Sequence, residues 1–242
     1  MNVVICDDYN KMSEKAAAFV AKNISGKKCV LGLATGSTPE GMYDELVKLN
    51  KAGKCDFSKV TTFNLDEYYP ISSDDPQSYR YYMNTKLFDL VNIEKQNTNI
   101  PNGLSVDADH ECEVYERKIS GIGGIDLQVV GMGANGHMGF NEPGSELIGI
   151  THKTELMPST IAANARFFES ESMVPTMALT MGMKTILSAR KILALVSGVG
   201  KHGPLSKLLE GIISTEFPIT FLNLHSDVTL ICDRAAYYGS DL

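Results

Sequence analysis

Short apolar runs alternating with longer amphipathic stretches constrain the fold of this chain more than any other feature of it. Runs that are apolar throughout suit strands buried on both faces of a parallel sheet, and amphipathic stretches suit the helices that cover those faces. "CVLGLA" (29–34), the β-branched "KVTTFNL" (59–65), "IDLQVVG" (125–131), "KILALVSG" (191–198) and "DVTLICD" (227–233) read as strands. "PEGMYDELVKLNKAG" (39–53) reads as a helix opened by Pro39 in its first turn and closed by Gly53. "DADHECEVYERKIS" (107–120) has the acids and spacing of an exposed helix, "VPTMALTMGMKTILSA" (174–189) reads as a helix with core-facing methionines, and a short helix is expected from about Pro204 to Glu210. The alternation predicts an α/β fold on a mostly parallel sheet.

A chain of 242 residues with 43% hydrophobic content can bury a substantial core, and with no internal repeat or linker it is expected to form one domain over 1–242. The net charge of -7 argues against a surface that neutralises many phosphates, so no nucleic-acid partner is expected. Five cysteines, an odd number without a C-x-x-C pair, fit neither a disulfide framework nor a zinc site and suit buried thiols in a reducing compartment. No run is long and apolar enough to span a bilayer, and the N-terminus lacks the pattern of a signal peptide. A cytoplasmic protein, monomeric or homo-oligomeric and without a membrane partner, is the expectation.

Functional-looking residues follow the predicted strands: "TGSTP" (35–39), "DEYY" (66–69), "GANGHMGFNEPG" (133–144) and "GVGKHG" (198–203). In an open parallel sheet these ends line one edge, where ligands bind in the crevice beyond the strands. Thr35, Gly36, Ser37 and Thr38 lead into a helix, so their N–H groups and hydroxyls suit an anion at its N-terminus; the alternative is ordinary capping by serine or threonine. Lys201, in a glycine-rich turn before a helix, and Arg166, between apolar neighbours, could complete an anion clamp or simply face solvent. Asp66 and Glu67 are adjacent, so one at most enters the crevice directly; a turn-forming acid pair is the alternative. His137 and Glu142 share a loop too glycine-rich to be packing material, with Asn135 placed to hold the imidazole. Metal binding is the competing reading, but neither H-E-x-x-H nor a third obvious ligand accompanies them, so no metal is expected. His110, His152, His202 and His225 carry no such context, and the tyrosines of "SYRYYMN" (78–84) read as core and helix surface.

Together, "LGLATGSTPEGMY", "TTFNLDEYY", "GMGANGHMGFNEPG", "NARFF", "VPTMALTMG" and "SGVGKHGPL" resemble the glucosamine-6-phosphate deaminase family from about residue 30 to the C-terminus. That resemblance implies a three-layer α/β/α sandwich with a Rossmann-like sheet, similar to ribose-5-phosphate isomerase and 6-phosphogluconolactonase. It implies conversion of glucosamine 6-phosphate and water to fructose 6-phosphate and ammonia without a cofactor. Asp66 then matches the base that moves the C2 proton, and His137 the group that opens the pyranose ring. Glu142 and Asn135 match its partners, and the 35–38 loop, Arg166 and Lys201 the phosphate binders. Some members carry aspartate where this chain has Asn135, which shifts the charged duty toward Glu142. The stretch 151–170 lacks a strong strand pattern and is expected to act as a lid closing over the sugar. The alternatives are a lactonase of the same fold and a non-catalytic sugar-phosphate sensor.

Overall fold

The computed structural model describes residues 1–165 and 168–240. Seven strands form the main sheet: β1 (Asn2–Cys6), β2 (Cys29–Leu33), β3 (Val60–Asn64), β5 (Thr98–Asn99), β6 (Leu127–Gly131), β9 (Ile192–Val196) and β10 (Val228–Asp233). Their order is β1-β10-β9-β6-β2-β3-β5 and every pairing is parallel. Strands β2 and β9 are buried at every position, as unbroken apolar runs between two helical layers must be.

One layer contains α1 (Tyr9–Ile24), α2 (Ser37–Lys51) and the short α3 (Tyr79–Met83), which pack Met12, Val20, Tyr43, Leu46 and Met83 against Leu31, Leu33 and Leu193. The other contains α4 (Ala108–Gly121), α6 (Met183–Leu187), α7 (His202–Leu209) and α8 (Arg234–Tyr238), which pack Tyr115, Ile186, Leu205 and Ala236 against Val130, Ala194 and Leu230. The result is a three-layer α/β/α sandwich. Among the described residues no helix is long and apolar enough to cross a membrane.

A second sheet departs from the sequence expectation. β4 (Asp66–Tyr69), β8 (Met177–Thr180) and β7 (His152–Glu155) form an antiparallel ribbon in the order β4-β8-β7. The expected helix over 174–189 is therefore strand β8, with only α6 helical. Met177–Thr180 has a ladder partner on each side, and Gly182 then passes against the 149–150 backbone, where a Cβ would fall 2.3 Å from the Ile150 carbonyl. Local methionine spacing gives way to nonlocal pairing. The stretch 151–170 likewise contains a strand, β7, followed by α5 (Pro158–Asn164). Strand β1 and helix α1 carried usable signals: an apolar "NVVIC", then Asp8 accepting the Lys11 N–H as an N-cap, then buried Met12, Ala16, Val20 and Ile24 at helical spacing.

Candidate active site

The β2, β6 and β9 loops leave neighbouring strands of the main sheet at its carboxyl edge. α2 starts at Ser37 with Gly36 as its N-cap, at φ 97°, and no side chain caps it. Capping by Ser37 or Thr38 is thus not the use of this loop, and the first-turn N–H groups stand free of a cap. Ser37, Thr38 and, from the β9 loop, Ser197 lie at one end of a groove of about 800 Å³ between α1 and α2, whose walls carry Glu14, Glu40, Asp44 and Glu45 and which includes neither Asp66 nor His137. Half-buried Lys201 follows Ser197 in a single turn of 3₁₀-helix, Val199–Lys201. Arg166 lies outside the described residues.

Asp66 and Glu67 are both buried and point to opposite sides of β4. Glu67 turns to the start of α3 and accepts the N–H groups of Tyr68, Tyr79 and Arg80 at 3.0, 2.8 and 2.9 Å. Burial pushes its carboxyl up to about 7, against the pull of those three donors. Asp66 faces the other way, toward the 133–144 loop, where a Cβ on Gly139 would lie 3.4 Å from its Oδ2. That glycine, at φ 61°, lets the loop backbone pass close to the carboxylate. Burial, and then the charge of Glu67, push Asp66 up to about 8. A carboxyl poised near neutrality in a crevice is suited to proton transfer.

In the 133–144 loop the His137 ring lies directly on Gly133, where a Cβ would fall 2.3 Å from Nε2. Its Nδ1 is 3.3 Å from Glu142 Oε2, a close contact just outside hydrogen-bond geometry. Asn135 does not reach the imidazole: its Oδ1 accepts the His137 backbone N–H at 3.1 Å and its Nδ2 donates to Glu142 Oε2 at 2.9 Å. A side chain two residues before the histidine is better placed to close a backbone turn than to reach the ring. Glu142 also accepts from Thr160 on α5. Burial pushes the Glu142 carboxyl up, but His137, Thr160 and Asn135 outweigh it and hold the group below the usual glutamate range. It therefore stays a carboxylate beside the imidazole.

Main-chain bonds set these loops against one another. The Leu65 N–H donates to Leu33 O at 2.9 Å, just ahead of the 35–38 loop, and the Met181 N–H donates to Leu65 O at 2.7 Å. Asn141 Nδ2 then donates to Met181 O at 2.8 Å. Leu65 thus joins the two sheets immediately before Asp66. Among the other histidines, His202 Nδ1 meets Ala236 O at 3.1 Å and ties α7 to α8, while His225 Nε2 meets Ala189 O at 2.7 Å. Sequence reasoning missed Thr160, which looks like any threonine in a helical turn, and missed that Glu67 braces α3. Among the described residues no group of histidine, cysteine and carboxylate side chains could hold a metal.

Residues 7–231 match the family model described as glucosamine-6-phosphate isomerases/6-phosphogluconolactonase, further toward the N-terminus than the motifs alone reach. A glucosamine-6-phosphate deaminase of Clostridium perfringens (strain SM101 / Type A) is 51% identical over 237 residues, covering 98% of each chain. One from Clostridium beijerinckii is 51% identical, covering 97% of each. The solved structure of a monomeric glucosamine-6-phosphate deaminase superposes with a TM-score of 0.96 at 46% identity, covering 99% of this chain and 100% of that one. A 6-phosphogluconolactonase from Trypanosoma cruzi, at 19% identity and TM-score 0.75 over 98% and 96% of the two chains, shares the fold. By family model, full-length identity and architecture together, the chain belongs to the glucosamine-6-phosphate isomerase/6-phosphogluconolactonase family.

Proposed function

We propose that the chain catalyses the hydrolytic deamination and isomerisation of glucosamine 6-phosphate to fructose 6-phosphate and ammonia. The observation that carries this reading is a buried carboxylate, Asp66, set against the loop that bears the His137–Glu142 pair. Relatives about half identical over the full chain carry the name of that activity.

In the proposed sequence, His137 takes the anomeric hydroxyl proton and delivers one to the ring oxygen, with the Glu142 carboxylate steadying the imidazolium between the transfers. Asp66, as carboxylate, takes the C2 proton of the open aldehyde while O1 takes one from the substrate's ammonium group to give the enolamine, and Asp66 then returns its proton to C1. The enolamine becomes an imine at C2, water adds there, the C2–N bond breaks, and ammonia leaves with the ketose. The N–H groups of the 35–38 loop, Lys201 and Arg166 hold the phosphate, which does no chemistry but fixes C1 and C2 against the acids and bases. The solved relative is named as monomeric, and we extend that state to this chain. The five buried free thiols support a reducing, cytoplasmic setting.

The deciding experiment is ammonia release from glucosamine 6-phosphate with unphosphorylated glucosamine as control. Rapid release from the first alone is expected; acid release from a 6-phosphogluconolactone without ammonia from the amino sugar would replace the proposal with the lactonase reading. In the same assay Lys201→Ala raises KM at least about tenfold with a smaller change in kcat, the signature of lost uniform binding. An unchanged KM removes Lys201 from the phosphate site.

A lid within 151–170 is part of the proposal. Strand β7 is laddered to β8, so the lid starts at α5, where Thr160 donates to Glu142 and Asn164 donates to the Tyr68 hydroxyl at 2.9 Å. Limited proteolysis slows within 158–170 when the sugar phosphate is present; equal cleavage with and without it would count against a lid.

A further inference from the structure

Three tyrosine hydroxyls converge on the 34–37 backbone from the α1/α2/α3 layer. Tyr43, fully buried on α2, donates to Ala34 O at 2.5 Å. Tyr82, half-buried on α3, donates to Gly36 O at 2.8 Å, and its ring meets that of Tyr43 edge-on at 6.5 Å. Tyr9, the first residue of α1, donates to Ser37 O at 2.9 Å and accepts the Gly41 N–H at 2.7 Å. Its hydroxyl thus bridges the carbonyl and the amide of the first turn of α2.

In a planar trans peptide the C=O of one residue and the N–H of the next point in opposite directions. Tying Ala34 O, Gly36 O and Ser37 O to the tyrosines therefore turns the N–H groups of Thr35, Ser37 and Thr38 away from that layer. No side chain caps this helix end, so those donors stay available to an anion.

We propose that Tyr9, Tyr43 and Tyr82 are positioning residues for the substrate phosphate: they hold the loop carbonyls back so that the N–H groups of Thr35, Ser37 and Thr38 converge on the oxyanion. This rests on the reading of 35–38 as the phosphate loop. The hydroxyls never touch substrate; they preorganise the donors that do. Burial pushes the Tyr43 and Tyr82 phenols well above their ordinary range, so both remain hydroxyl donors at any working pH.

The test is an amide-resolved NMR titration of the full chain with inorganic phosphate. In the wild type the Thr35, Ser37 and Thr38 amide protons shift and report a dissociation constant. Tyr82→Phe keeps the ring and removes the hydroxyl; it weakens that constant by about fivefold, the scale of one neutral hydrogen bond, and raises KM for the sugar phosphate similarly with kcat little changed. Tyr69→Phe, which deletes a comparable bond to Ser105 O at 3.0 Å, leaves phosphate affinity unchanged. If Tyr82→Phe does not fold, Tyr9→Phe, at the half-exposed edge, carries the same measurement. A melting temperature that falls while phosphate binds as in the wild type assigns the tyrosines to packing alone and overturns the proposal, as does an equal loss in Tyr69→Phe. A wild type whose 35–38 amides ignore phosphate refutes the phosphate-loop reading itself, a result distinct from unaltered binding in the variants.

Discussion

Asp66→Asn lowers ammonia release by about three orders of magnitude, within the range for loss of a positioned general base, while inorganic phosphate binds as in the wild type. The carboxyl that faces the Gly139 backbone is pushed up to about 8, and an amide cannot accept the C2 proton. Only the carboxylate form works as a base, so kcat/KM of the wild type climbs with pH and levels off above about 8. Stability runs the other way. Because burial raises this carboxyl, the folded chain binds its proton more tightly than the unfolded one, and the protein loses stability as pH rises from the ordinary aspartate range through about 8. Asp66→Asn removes that penalty, so its melting temperature exceeds that of the wild type by at least about 3 °C at pH 8, and the gap closes near pH 4. A calorimetric series showing no gap at pH 8, or near-normal turnover, would place the base elsewhere.

Gly133→Ala should reduce kcat by about a hundredfold without touching the base or the anion loop. The new methyl would occupy the place of the His137 ring, 2.3 Å from Nε2, so the imidazole must leave its contact with Glu142. Phosphate binding and fold stay close to wild type, because the displaced side chain is partly exposed. Turnover within threefold of wild type would show that the imidazole has no duty at that spot.

Much of the main sheet was legible in the sequence because strands buried on both faces are rich in apolar residues, as Cys29–Leu33 and Ile192–Val196 are throughout and Leu127–Gly131 is apart from the buried Gln128. The ribbon β4-β8-β7 was not. Its strands are four residues each and pair across long stretches of sequence, so no local period announces them, and the methionine spacing of 174–189 pointed to a helix instead. Neighbouring acids at 66 and 67 could be assigned to opposite faces by strand geometry, yet which one faces the crevice depended on where α3 packs. The tyrosines of "SYRYYMN" look like packing residues; only the fold brings the Tyr82 hydroxyl to Gly36 O. Asn135 was expected to hold the imidazole and instead spans the turn to Glu142.

Leu65 belongs through its N–H to one sheet and through its C=O to the other. The spacing between the 35–38 loop and the Asp66 carboxyl is therefore a ruler ticked in peptide units, set by main-chain bonds rather than by the apolar side chains at 65 and 181. On the proposed reading, exchanging those side chains for other apolar ones leaves unchanged the reach from a bound sugar's phosphate to its second carbon.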